Sequence, residues 1–142
     1  MLLASEVVST PSRIRVLIAE DDAGVREVLA SVVRSESTFE LVCAVENADQ
    51  AIRAAERDLP DVALVDVRMP GGGERATREI KRASPHTRVI VFSAQDDPRT
   101  RQEMFDAGAD GYLVKGSLVA AIIASIQRAG IASAGSRLSR AA

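Results

Sequence analysis

The sequence predicts an α/β fold built on a doubly wound parallel sheet. Short apolar runs alternate with segments of helical periodicity, and the pair recurs five times along the chain. The runs are almost continuously apolar and rich in β-branched residues, as strands covered on both faces require. The chain is 142 residues long and 46 % apolar. That suits one domain able to bury roughly 68 % of its unfolded surface.

The elements follow in order. Ile14-Arg-Val-Leu-Ile-Ala19 reads as the first strand, and Val25, Val28, Leu29, Val32 and Val33 then recur as one helical stripe. Phe39 to Val45 reads as the second strand. Asn47, with Gln50 three residues on, resembles a capping box opening a helix whose buried side is Ala48, Ala51, Ile52 and Ala55. Val62-Ala-Leu-Val-Asp66 is the third strand. Glu74 to Ala83 is a charged helix with Ala76, Ile80 and Ala83 as its core face. Val89-Ile-Val-Phe92 is the fourth strand. Asp97-Pro98 reads as an N-cap with proline at the first helical position, and that helix ends near Gly108. Gly111 to Val114 is a short fifth strand. Ser117 is the expected cap of a last helix carrying Leu118, Val119, Ile122, Ile123 and Ile126, with Gly130 as its stop.

Right-handed crossovers leave few topologies for five such units. The flavodoxin-like (βα)5 order 2-1-3-4-5 places a site beyond the carboxyl ends of the strands, beside the first one. The compact unit is expected over residues 13–128, with 1–12 as an N-terminal extension and 129–142 as a flexible tail or linker.

Composition removes several function classes. Basic and acidic residues number 18 and 20, for a net charge of −2, which excludes a broadly basic nucleic-acid binder. A lone Cys43 can form neither an intramolecular disulfide nor a zinc cluster, and it reads as a small buried residue in a reducing cytosol. His86, the single histidine, excludes multi-histidine metal sites and reads as a solvated loop residue. The longest apolar stretch, Gly116 to Ile126, is 11 residues, against about 20 for a membrane span. Met1 to Glu6 lacks the basic start and apolar core of a signal peptide. A cytoplasmic protein without membrane or direct nucleic-acid contact is expected.

The strand ends carry the chemistry. Glu20-Asp21-Asp22 follows the first strand and Asp66 ends the third. Ser93 follows the fourth strand and Lys115 the fifth. Carboxylates gathered in one shallow site raise one another's pKa, and a hard divalent cation such as Mg2+ relieves this. Helix capping alone accounts for Asp22. It does not account for Asp66, which closes an apolar strand instead of opening a helix.

Val16-Leu-Ile-Ala-Glu-Asp-Asp22, Leu64-Val-Asp-Val-Arg-Met-Pro-Gly71, Val89-Ile-Val-Phe-Ser-Ala94 and Gly108-Ala-Asp-Gly-Tyr-Leu-Val-Lys115 together resemble the receiver domain of bacterial two-component response regulators. The resemblance spans Arg13 to Arg128, with each motif at a strand end and in the right order. It implies that Asp66 is the phosphoacceptor, taking a phosphoryl group from the phosphohistidine of a histidine kinase or phosphotransfer protein. It implies Mg2+ held by Glu20, Asp21, Asp66 and the backbone carbonyl of Arg68. Ser93 would bind a phosphoryl oxygen, Lys115 would pair with Asp66 and then the phosphate, and Tyr112 would be the aromatic switch partner of Ser93. The chain would promote its own phosphorylation and dephosphorylation and would not be an enzyme acting on other substrates. Arg68 and Gln95 would flank the site and tune the attacking water.

Departures from the family pattern keep the needed groups. Glu20 stands for the commoner aspartate, Ser93 for threonine, and Gly116 follows the lysine where many receivers have proline, so a trans peptide is expected there. Lys115-Gly-Ser117 is similar to receivers that carry helix-turn-helix output domains of the nitrate-regulator type. Only 14 residues follow Arg128, too few for such a domain. The broad apolar last helix, with Ala120, Ala121 and Ala124, suggests that the face of the fourth helix, fifth strand and fifth helix binds a partner or a second copy.

Three other readings compete. Gly71-Gly-Gly-Glu-Arg-Ala76 fits a dinucleotide fingerprint and has Asp96 20 residues on, but it follows the third strand, with Met69-Pro70 between. A Mg2+-dependent phosphohydrolase with an aspartyl nucleophile, of the haloacid dehalogenase type, wants Asp-x-Asp after the first strand. Asp66 lies on the third and is followed two residues on by Arg68. A vestigial, interaction-only receiver is the third alternative, and the complete residue set argues against it.

Overall fold

The structure is a computed structural model that describes residues 12–94 and 96–141, with side chains described up to residue 136. Ten elements alternate: β1 (Ile14–Ala19), α1 (Ala23–Ser35), β2 (Phe39–Val45), α2 (Ala48–Asp58), β3 (Val62–Asp66), α3 (Gly73–Ala83), β4 (Arg88–Ser93), α4 (Pro98–Asp106), β5 (Gly111–Val114) and α5 (Val119–Ala141). The five strands form one sheet in the order β2-β1-β3-β4-β5, and every pairing is parallel. This is the predicted flavodoxin-like order.

The continuous apolar runs bury both faces of the central strands. Val16 and Ile18 of β1, Val62 and Leu64 of β3, and Ile90 and Phe92 of β4 pack with α1 and α5. Leu17 and Ala19, Ala63 and Val65, and Val89 and Val91 pack with α2, α3 and α4 on the other face. Successive residues therefore feed opposite cores, the period-two geometry of a strand. Cys43 lies on the edge strand β2 and is only partly buried, less enclosed than its apolar context suggests. Val28 of the predicted α1 stripe is 59 % exposed.

The caps are local. Asp22 accepts from Val25 N at 3.0 Å, Asn47 from Gln50 N at 2.9 Å, and Asp97 from Thr100 N at 2.9 Å. Gln50 returns its carbonyl to Glu46 N instead of Asn47 N. His86 ends partly buried, with Nε2 3.2 Å from the Leu59 carbonyl.

The last helix departs from expectation at both ends. Ser117 does not cap it: its backbone N–H and its hydroxyl both donate back to the Val114 carbonyl, and the Leu118 carbonyl starts the helix instead. Gly130 does not stop it either, and the stretch expected as flexible tail or linker is helical through Ala141. The reason is packing. A Cβ on Gly130 would lie 2.5 Å from Ile14 Cδ1, so the glycine lets α5 seat on the start of β1. Val119–Ser136, with a mean hydropathy of 1.2, is apolar and long enough to cross a membrane. In this fold Ile122, Ile126, Gly130 and Ser133 of that stretch are buried. Of the expected extension, residues 1–11 lie outside the described residues.

Candidate phosphoryl-transfer site

β1, β3 and β4 deliver their carboxyl ends to one edge. Glu20, just past β1, is 1 % exposed, and Asp66, the last residue of β3, is 3 % exposed. Burial of two acids side by side is costly unless their charges are met. Lys115, just past β5, meets both: Nζ is 2.8 Å from Glu20 Oε1 and 3.3 Å from Asp66 Oδ1. The contact to Glu20 is an ion pair without hydrogen-bond alignment. Asp21, exposed at the rim, completes an acidic trio whose ligand atoms lie within 4.8 Å of one another.

Electrostatics set the site's resting state. Burial, then the Glu20 and Asp21 carboxylates beside it, push Asp66 up to about 7. Partial desolvation raises Asp21, but hydrogen bonding with Asp66 and Glu20 and the Lys115 charge outweigh it and hold the group below its ordinary value. Desolvation lowers Lys115, yet Glu20 and Asp66 prevail and hold the ammonium above its ordinary value. One ammonium against three carboxylates leaves the site short of positive charge.

The donor set fits a hard cation. Asp66 Oδ2 is buried and no hydrogen-bond donor reaches it among the described residues. Three carboxylates at this spacing suit Mg2+, which keeps several waters. Glu20, Asp21 and Asp66 are the side chains that would hold it.

The remaining predicted residues lie around this centre. Ser93 ends β4 and is 4 % exposed, and its carbonyl accepts from Lys115 N at 2.6 Å. Arg68 N donates to Asp66 Oδ1 at 3.2 Å, which pins the loop after Asp66. Tyr112 lies one strand over, paired with Val91 and partly buried. Gln95 lies outside the described residues. The peptide after Lys115 is trans, as expected, since no cis bond occurs among the described residues. Gly71 to Ala76 is no nucleotide cradle here: a Cβ on Gly73 would lie 2.4 Å from the Asp66 carbonyl, so this glycine lets α3 start against the backbone of Asp66.

Two residues escaped the sequence reading. Arg26 of α1 donates to the Glu20 carbonyl at 2.9 Å and braces the loop that carries the acids. Arg101 of α4 sits over the Tyr112 ring, 4.9 Å from its centre. Its spacing of four from Phe105 was the one local signal, since residues i and i+4 share a helix face.

Comparison with known proteins decides the family. Residues 16–127 match the family model described as "Response regulator receiver domain". The chain belongs to the response regulator receiver domain family. The receiver is 30 % identical over 115 residues to the response regulator GacA of Pseudomonas viridiflava, covering 80 % of this chain and 54 % of that protein. It is 32 % identical over 117 residues to the transcriptional regulatory protein DegU of Brevibacillus brevis, covering 82 % of this chain and 50 % of that one. The receiver therefore spans about half the length of these relatives. Among solved structures, the NarL signal receiver domain from Mycobacterium tuberculosis superposes with a TM-score of 0.81 at 29 % identity, covering 84 % of this chain and 98 % of that one.

Proposed function

We propose that this receiver accepts a phosphoryl group on Asp66 in a Mg2+-dependent two-component signalling step. The observation that carries the reading is the convergence of buried Asp66 with Glu20, Asp21 and the Lys115 ammonium. In the forward step an Asp66 carboxylate oxygen attacks phosphorus, the partner's N–P bond breaks, and the neutral imidazole leaves. The donor is a histidine kinase or phosphotransfer protein, so a chain with one loop histidine lacks nothing. In dephosphorylation water attacks phosphorus, the bond between Asp66 Oδ and phosphorus breaks, inorganic phosphate leaves with the water's protons, and Asp66 returns as a carboxylate. The chain is a phosphoacceptor that promotes both steps on itself.

Bound Mg2+ would supply charge neutralisation for the phosphoryl oxygens. Glu20, Asp21, Asp66 and the Arg68 carbonyl would hold it. Lys115, already between Glu20 and Asp66, pairs with the transferred group, and the Ser93 hydroxyl takes another of its oxygens. Phosphoryl transfer asks mainly for such positioning. The added charge draws Ser93 inward and Tyr112 follows, a local event biasing a two-state element. Arg68 is placed to tune access of the hydrolytic water.

A groove of about 540 Å3 between α1 and α5, lined by Val25, Val28, Phe92 and Val119, opens beside Lys115. The face of α4, β5 and α5 serves a partner or second copy after phosphorylation. We place the receiver unit at residues 13–128, extended by the part of α5 that seats on β1 through Gly130, in the cytoplasm and without direct nucleic-acid contact of its own.

Incubation with a small phosphodonor and Mg2+, read by intact mass, tests this. A single phosphate adduct is expected, absent in Asp66→Asn and absent without the cation. Labelling at another residue would refute the assignment.

A further inference from the structure

Tyr112 is held by a contact that the phosphoryl-transfer site does not require. The guanidinium carbon of Arg101 lies 4.9 Å from the Tyr112 ring centre and 6.0 Å from that of Phe105. Its Nη1 is also 2.8 Å from Asp96 Oδ1. One side chain of α4 thus touches the ring on β5 and the connection leaving β4. Asp96 lies three residues past Ser93. The next residue, Asp97, is fixed to α4 as its N-cap through Thr100 N. Asp96 thus sits between Ser93 and the capped start of α4.

We propose that Arg101 is a latch that holds the Tyr112 ring in its resting, half-buried position through the stack and Asp96. Loading of Asp66 opens it, because Ser93 draws the connection carrying Asp96 toward the phosphoryl group. This rests on the phosphoacceptor reading above. Arg101 touches no reacting atom; it is a positioning residue for the switch. The Arg101–Asp96 pair is about half exposed on each side, and such pairs contribute little alone. The stack on the ring carries the larger share. A contact made only in the resting state opposes activation by its own equilibrium factor. Exposed cation–π contacts are worth roughly two- to fivefold at this scale.

Tyr112 is the only tyrosine and the chain has no tryptophan, so tyrosine emission reports this ring alone. Beryllofluoride with Mg2+ is the probe, with wild type, Arg101→Gln, Asp96→Asn, Tyr112→Leu and the Arg101→Gln/Tyr112→Leu double variant compared. Affinities are read by 19F NMR, and far-UV circular dichroism checks folding. Without probe, Arg101→Gln emission is expected to shift toward that of loaded wild type. Its beryllofluoride affinity is expected to rise about two- to fivefold, with a smaller rise for Asp96→Asn. In the Tyr112→Leu background, Arg101→Gln should change nothing.

If wild type binds the probe but Arg101→Gln matches it in emission and affinity, the latch is overturned and the phosphoacceptor reading stands. The latch is equally overturned if Arg101→Gln has its full effect without the tyrosine, since its role is then merely structural. If wild type does not bind the probe, both readings fall.

Discussion

Replacing Asp66 with asparagine should make the cation-free protein more stable at neutral and alkaline pH. The folded protein holds this carboxyl at about 7, against an ordinary 3.8. Between those values the folded state keeps a proton that the unfolded chain has released, so wild-type stability falls as pH rises from 4 to 7. The full cost of ionising the group is bounded at about 4 kcal/mol. Sharing of charge among Glu20, Asp21 and Lys115, with local relaxation, brings the expected gain for Asp66→Asn to about 2 kcal/mol. The gain should be near zero at pH 4, grow through pH 5 and 6, and level off above pH 7. Urea denaturation followed by far-UV circular dichroism at five pH values measures it. Saturating Mg2+ should erase or reverse the gain, because wild type alone then binds the cation well and is stabilised by it. A gain that stays constant from pH 4 to 8, or a loss at pH 8, would refute the account of Asp66 as a carboxyl strained by burial and its acidic neighbours.

Three other substitutions test separate parts of the structure. Lys115→Met removes the one ammonium between Glu20 and Asp66. It should cost about 1–3 kcal/mol at pH 8 and less at pH 5, with Mg2+ restoring part of the loss, as urea titrations would show. Gly130→Ala distinguishes a packing glycine from a helix stop. An overlap at 2.5 Å with Ile14 predicts destabilisation by about 1–3 kcal/mol, partly rescued by Ile14→Ala, whereas mere helix propensity predicts a gain of about 1 kcal/mol. Thermal melts of the single and double variants give the sign. Gly73→Ala places a methyl 2.4 Å from the Asp66 carbonyl. Phosphate incorporation from a small donor should fall more steeply than the melting temperature.

The sheet was legible because its central strands are buried on both faces, so each of them is written as an apolar run closed by a charged or turn residue. Asp66 stood out for the same reason: an acid at the end of Val62-Ala-Leu-Val65 opens no helix that it could cap. Asp22, Asn47 and Asp97 were legible as caps, since capping is decided within a few residues. What stayed hidden depends on distant partners. Gly130 carries a stop signal that Ile14, more than a hundred residues earlier, overrides. Ser117 carries a cap signal but spends its hydroxyl on Val114. Arg26 and Arg101 are long side chains whose targets, the Glu20 carbonyl and the Tyr112 ring, lie on other elements. No periodicity announces such reach.

The backbone bond from Lys115 to the Ser93 carbonyl has a mechanical consequence. It yokes the hydroxyl-bearing strand to the ammonium-bearing one, so neither can shift far without towing the other. Anion capture would then be felt on both sides of that rung together. Relaxation measured at Ser93 and at Lys115 should yield one shared exchange rate, the mark of a concerted hinge and not of two independent gates.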